Sequence, residues 1–253
     1  MKATRREILA LAAIGALGAW PASAQAPSQP DEAPAGSNQA DFDQVWELVR
    51  DRFYDPRLNG LDWQEQRLRF RPDAASARSR EDAAIVINAM LAKLGASHTH
   101  YYTPEDPAYY QLADIFVGAL EHRGLDRVFP RGEVSYPGIG VFTEADNQGR
   151  TFVTGVIEGA PARAAGVLTG DEILSADNRP FRPVGSFRGK VGSPVSLEIR
   201  RASGAAPIAI SVSPADLRPN EMFLRGKESA RIIAADKAKI GYVHVWSYAS
   251  HRM

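Results

Sequence analysis

Glycine fixes the backbone choices of the middle of this chain more than any other residue type. Gly138, Gly140, Gly155, Gly159, Gly166 and Gly170 punctuate the stretch between 138 and 170 and argue against a long helix through it. What lies between the breaks alternates apolar and polar residues. Ile139 to Thr143, Thr151 to Glu158, Val195 to Arg201 and Ala206 to Val212 read as short strands, with Ser203-Gly204 as the turn between the last two. One short helix fits, opened by Pro161 and stopped by Gly166. The prediction is a mostly β module over 132–214.

The chain before it has a different period. Phe42, Val45, Trp46, Val49 and Phe53 recur at helical spacing from Asp41, which is placed to cap the helix. After a stretch read as extended, Ser79 and Asp82 make a capping-box-like start. Val86, Ile87, Met90, Leu91 and Leu94 follow as one apolar stripe, and Gly95 is the stop. Pro107 opens a third helix through Leu120, ending by Gly124. These three make a small helical domain over 41–131. Residues 25–40, rich in Ala, Pro, Ser and Gln, read as a flexible linker.

At the start, Lys2, Arg5 and Arg6 precede an apolar run from Ile8 to Leu17 and an Ala22-Ser23-Ala24 cleavage site, so 1–24 reads as an export signal with the mature chain beginning at Gln25. The run is too short to span a bilayer, which needs about 20 apolar residues. The expectation is an exported, periplasmic or secreted protein with no stable membrane anchor after signal cleavage. The adjacent arginines also fit a twin-arginine leader, and the route is left open.

Composition removes several function classes. The chain has 253 residues with 30 Lys and Arg against 30 Asp and Glu, so it carries no global field to hold nucleic acid. It has no cysteine, which excludes disulfides, thiolate metal sites and cysteine nucleophiles. Catalysis would fall to oxygen, nitrogen or a metal on histidine and carboxylates.

The ordered set Gly138-Ile139-Gly140-Val141, Gly155-Val156-Ile157-Glu158-Gly159-Ala160-Pro161 and Leu168-Thr169-Gly170-Asp171-Glu172-Ile173-Leu174 resembles a PDZ domain. In such a module a glycine-flanked loop turns successive backbone N–H groups inward as a nest for a peptide carboxylate, and the next strand offers an edge to which an extended peptide adds. The resemblance assigns peptide binding to Gly138, Ile139, Gly140 and Val141. Val184 and Phe187 are the expected apolar wall, on a groove shortened because Pro183 and Gly185 are poor helix formers.

Signal, helical domain, PDZ-like module and a new β segment at Lys239-Ile240-Gly241-Tyr242-Val243 follow the order of the carboxy-terminal processing peptidases. These are also called tail-specific proteases, and they are related to the tricorn core. Leu94-Gly95-Ala96-Ser97-His98-Thr99-His100-Tyr101-Tyr102 is similar to that family's loop after the second helix. The resemblance implies an exported serine peptidase that recognises substrate C-termini through its PDZ domain. In tricorn-like members a histidine in a Ser-His motif serves as general base, which would be His98 supported by Ser97; other members use a lysine. No Gly-x-Ser-x-Gly or Ser-x-x-Lys occurs in the chain, so no nucleophile is assigned. Ser247, Ser250 and His251 read as polar residues near the end of the sequence.

The expected fold class is therefore α+β: signal peptide, small helical domain, PDZ-like β module with a short helix, then 215–253 as a connector and the first strand of an α/β peptidase core that is cut off. Asp216 to Lys237 is the charged connector and Ile240 to Tyr248 the strand. The expected partners are protein or peptide substrates with free apolar C-termini, without nucleic acid and without a cofactor. Two other readings compete. One is a secreted, noncatalytic PDZ adaptor. The other is a metal-dependent hydrolase built on His98, His100, Glu105 and Asp106, set aside because the spacing is not that of a helical metal motif; no metal ligand is assigned. His244 is expected to be structural or outward-facing in its strand, and His122 to sit at a helix end.

Overall fold

The computed structural model describes residues 36–120, 128–129, 132–235 and 238–247. The predicted export signal, most of the predicted linker, His122, Ser250 and His251 lie outside the described residues. The chain divides into two compact units, one before and one after the junction of Gly132 and Glu133.

The first unit is helical. Helix α1 spans Ser37–Arg52 and buries Phe42, Val45, Trp46 and Val49, the stripe expected from sequence. It starts four residues before Asp41, so the linker boundary at 40 and the capping role of Asp41 are both corrected. Asp41 instead turns inward. Its carboxylate accepts the Tyr101 hydroxyl at 3.0 Å and pairs with Arg80 at 3.2 Å. Burial raises its pKa, with Arg80 and Tyr101 opposing that shift.

The stretch read as extended contains a helix, α2, Trp63–Ala75, capped by the Asp62 carboxylate accepting from the Glu65 N–H at 2.9 Å. Its buried residues are only Trp63, Gln66 and Ala74, and Pro72 sits in its last turn. The sequence therefore shows no stripe and an apparent breaker. The two indoles fasten α2 to α1, Trp46 Nε1–H donating to the Trp63 carbonyl at 2.8 Å and Trp63 Nε1–H to the Trp46 carbonyl at 3.0 Å.

Helix α3, Arg80–Ala92, begins as predicted, with Ser79 Oγ accepting from the Asp82 N–H at 3.0 Å. It buries Ile87, Met90 and Leu91. The third predicted helix is two: α4, Pro107–Ile115, and α5, Val117–Leu120.

In the second unit, β1 (Tyr136–Gly138) pairs antiparallel with β7 (Ala215–Leu217). An antiparallel sheet is built from β2 (Val141–Ala145), β3 (Thr151–Val156), β4 (Glu172–Ala176), β5 (Val195–Arg200) and β6 (Ile208–Val212), adjacent in that order. Helix α6, Pro161–Ala164, is the short helix anticipated from Pro161 and Gly166. The core gathers Val153, Val156, Ile173, Leu197 and Ile199 from the strands, Ile139 from the bend before β2 and Phe187 from a 3-10 turn, among others.

The predicted connector is structured. After β7 come α7 (Pro219–Leu224), a 3-10 turn over Arg225–Ser229, and a hairpin of β8 (Arg231–Ala235) and β9 (Ala238–Tyr242). The last strand was expected to run from Ile240 to Tyr248. It ends at Tyr242, and 243–247 continue without strand pairing.

Candidate functional site

Two constellations predicted from sequence fall in the two units. In the second unit, Gly138 closes β1, Ile139 and Gly140 form the bend, and Val141 opens β2. The carbonyls of the bend are used internally. That of Ile139 accepts from the Ala162 N–H at 2.8 Å and that of Gly140 from the Ile157 N–H at 2.9 Å. Among the described residues, the N–H groups of Ile139 and Gly140 enter no backbone hydrogen bond. Successive N–H groups in a glycine bend are donors of the kind that accommodates a carboxylate.

Gly140 has φ +76°, and a Cβ placed on it would collide with the Cβ of Ala160. The left-handed backbone and the contact with the α6 turn both require glycine here. Gly138 is constrained by packing instead, since a Cβ there would lie 2.9 Å from Leu217 Cδ1. The Ile139 side chain is buried in the core, and Val141 packs against that core at its margin.

Strand β2 lies at one edge of the five-stranded sheet, paired on one side with β3. The pairing passes from Phe142 opposite Gly155 to Thr143 opposite Val153, leaving Thr154 as a bulge in β3. An edge strand that begins beside a pair of unengaged N–H groups is the arrangement that strand addition by a peptide requires.

Val184 and Phe187 are not an exposed wall. Both are fully buried, and Phe187 sits in the core with its ring 6.1 Å from that of Phe181. The segment between them is one 3-10 turn, Gly185–Phe187. A single turn has too little length to present one apolar face to a groove and another to the core, so both side chains go inward.

Sequence reading missed a cleft of about 530 Å³ lined by Ala160, Pro161, Asp216, Arg218, Met222 and Arg225, among others. Asp216, Arg218, Met222 and Arg225 come from the segment read as a connector. Its arginines are already engaged: Arg218 with Glu133 at 2.8 Å and Glu221 at 3.1 Å, and Arg225 with the Gly159 carbonyl at 2.8 Å.

In the first unit, Ser97 and His98 lie exposed in the loop that follows α3, with Ser97 Oγ 2.7 Å from His98 Nδ1. If Nδ1 carries the proton and donates it to Oγ, Nε2 is the acceptor that faces outward chemistry. The loop is anchored on both sides. The Asn59 side chain donates to the Leu94 carbonyl at 2.6 Å, closing the end of α3. Asn88 and the backbone of Tyr101 exchange two hydrogen bonds at 2.9 and 2.8 Å.

The His100 ring packs against that of Tyr102, tilted by 41° with centroids 4.4 Å apart. Asp106 accepts from the N–H and the hydroxyl of Thr103 at 2.7 and 3.1 Å, and Glu105 is buried. Among the described residues no three His, Asp or Glu side chains gather as a metal site would need. His244 is half-buried and its ring packs against Trp246 with centroids 3.7 Å apart and planes tilted by 32°.

Two sequence profiles match the chain: that of the Tricorn protease C1 domain over residues 34–92 and that of a PDZ domain over residues 152–201. The first ends before Ser97 and His98, and the second begins after the Gly138–Val141 bend. The chain is 25% identical over 169 residues to carboxyl-terminal-processing peptidase 3, chloroplastic, of Arabidopsis thaliana, covering 64% of this chain and 29% of that protein. It is 24% identical over 229 residues to a Streptomyces coelicolor protein described as a tricorn protease homolog, covering 84% of this chain and 18% of the relative. It is also 24% identical over 216 residues to the carboxyl-terminal-processing protease of Picosynechococcus, covering 82% and 46%. The chain thus spans less than half the length of each of these relatives. Among solved structures, the photosystem II D1 C-terminal processing protease matches 83% of this chain and 53% of its own length, with 19% identity and a TM-score of 0.42. No helix among the described residues is long and apolar enough to cross a membrane.

Proposed function

We propose that this chain, which is similar to the carboxyl-terminal-processing peptidases and matches the Tricorn protease C1 and PDZ domain profiles, supplies substrate recognition and a general base to an exported serine-type peptidase. The observation that carries the recognition half is the bend at Ile139 and Gly140 at the head of edge strand β2. A peptide C-terminus places its carboxylate on the bend's N–H groups and its last residues along β2. The carboxylate carries a full charge, and hydrogen bonds to it contribute roughly 1.5 to 3 kcal/mol where water is excluded.

The base is His98, with Ser97 Oγ at Nδ1 orienting the ring so that Nε2 takes the proton of an attacking serine and returns it to the leaving amine. The attacking serine comes from outside these 253 residues. On this reading the 253-residue chain binds peptides and does not cleave them. Export rests on the basic, apolar and Ala-x-Ala pattern of residues 1–24.

Fluorescence polarisation with matched peptides ending in an apolar residue, one set as free acids and the other as C-terminal amides, tests the recognition half. Free acids should bind about tenfold or more tightly, since 1.4 kcal/mol is a factor of ten. Equal affinity for the two sets would reduce the Gly138–Val141 bend to an ordinary turn.

A further inference from the structure

Strand β2 has a second surface besides its free edge. Side chains alternate along a strand, so while Val141 packs on the core, Phe142 points to the opposite face. Its cross-strand partner in β3 is Gly155, which has no side chain to lie beside the phenyl ring. Trp246 fills that gap. Its indole stacks on Phe142 with centroids 5.1 Å apart and planes 24° apart, and a Cβ built on Gly155 would come within 2.8 Å of the indole. An aromatic side chain laid over a strand glycine restores packing that the glycine gave up.

The indole is held from the side as well. Trp246 Nε1–H donates to Glu158 Oε2 at 2.7 Å, at the end of the segment whose Ile157 N–H holds the Gly140 carbonyl. The His244 ring packs against Trp246 with centroids 3.7 Å apart, and the His244 backbone N–H donates to Ser229 Oγ at 2.6 Å. Gly226 admits no side chain there, because a Cβ would meet the His244 carbonyl. Residues 244–246 are thus fastened to the turn after α7 at one end and to the β3–α6 turn at the other.

We propose that Trp246, which lies beyond the predicted 132–214 module and the 152–201 profile match, is a positioning residue of the peptide site, clamping Phe142 from behind so that the edge strand is held ready to receive a peptide. This rests on the reading of β2 as the peptide edge. The need for a clamp follows from local geometry. The strand is paired on one side only, and β3 bulges at Thr154 opposite Phe142 and Thr143, so the edge groups of β2 have fewer partners than those of the inner strands. A strand that must be ordered by its ligand subtracts that cost from the affinity, and one already held does not.

The test uses the full 253-residue chain as wild type, Trp246→Ala, Trp246→Phe and Glu158→Ala. The probes are fluorescein-labelled peptides ending in free-acid Ala, Val, Leu or Phe, read alongside hydrogen exchange of residues 141–145 and 195–200. Trp246→Ala should weaken binding about tenfold and speed exchange in 141–145 while leaving 195–200 protected. Trp246→Phe should keep most of the affinity, and Glu158→Ala should lose about threefold by freeing the indole.

Wild-type affinity in Trp246→Ala would overturn the positioning role and leave the peptide-binding reading intact. No binding of any probe by the wild type would overturn both. Should Trp246→Ala unprotect 195–200 as well, Glu158→Ala decides the matter, and unchanged binding there would overturn the proposal.

Discussion

The two candidate sites are built in opposite ways. The bend at Ile139 and Gly140 is inseparable from the packing around it, since Ile139 is a core residue, Gly140 is wedged against Ala160, and both carbonyls tie the bend to the residues beside α6. Ser97 and His98 are exposed, contact one another, and are carried on a loop whose anchors are other residues, Asn59, Asn88 and Tyr101. A recognition site made of backbone has to be part of the fold. A proton-transfer site made of two side chains does not. Substitutions at the first should therefore move stability and binding together, and substitutions at the second should move chemistry alone.

The largest expected effect is at His98. In a form of the protein that includes the attacking serine, His98→Ala should lower kcat by about 10²-fold or more, as loss of a general base does. Its melting temperature should match the parent's, and peptide affinity should stay the same. An unchanged kcat would assign the base to another residue and leave His98 as an exposed loop histidine. A large fall in melting temperature would break the contrast between the two sites.

Gly140→Val is the complementary case. A β-branched residue resists the left-handed backbone of this position, and its Cβ collides with Ala160. Peptide affinity should fall about tenfold or more, and the second unit should melt earlier, both measured on the same preparation. Lost affinity with an unchanged melting temperature would mean that the bend is less tied to the core than its contacts indicate.

What the sequence disclosed follows the same division. Signals written in the backbone were legible: the Ser79 cap, Pro161 at the start of α6, and the glycines that delimit the strands of the sheet. Helix α2 was hidden because it buries only three of its residues and contains Pro72, so neither period nor composition marks it. The pairing of β1 with β7 joins three-residue strands far apart in the chain, and no local pattern announces it. Val184 and Phe187 were placed on a shortened groove by the PDZ resemblance; one 3-10 turn turns them into the core. The fit of Trp246 over Gly155 is a tertiary match between a large and an absent side chain, visible only once β2 and β3 are in register.

A smaller effect sharpens the comparison from the side of the helical unit. Asp43 accepts from Arg71 at 2.8 Å and Arg67 at 2.9 Å, and those hydrogen bonds hold its carboxyl below the usual carboxylate range, Arg71 contributing most. A carboxylate lowered in the folded state adds stability above its unfolded pKa of about 3.9, and that contribution is lost as pH falls through the folded value. Asp43→Asn should therefore cost about 1 kcal/mol at pH 7, the upper end for partly exposed ion pairs. The difference should shrink as the pH is lowered below about 4. Thermal melts of both proteins across pH 2 to 7, about the span in which a carboxylate titrates, measure this. A difference that persisted at low pH would show that packing, not charge, holds the Asp43 side chain.

The smallest expected effect tests the orienting role of Ser97. Its hydroxyl touches His98 Nδ1 at 2.7 Å, but both residues are exposed, so water can replace much of that contact. A net hydrogen bond of about 0.5 to 1.5 kcal/mol corresponds to a loss of roughly twofold to tenfold in kcat, at 1.36 kcal/mol per tenfold. Ser97→Ala should fall in that range in the same active form of the protein, with KM and melting temperature unchanged, and Ser97→Thr should restore most of the rate because it keeps the hydroxyl. The pairing matters only if His98 is the base, so the double variant Ser97→Ala with His98→Ala should be no slower than His98→Ala alone. A further drop in the double variant would give Ser97 a task of its own, separate from orienting the imidazole.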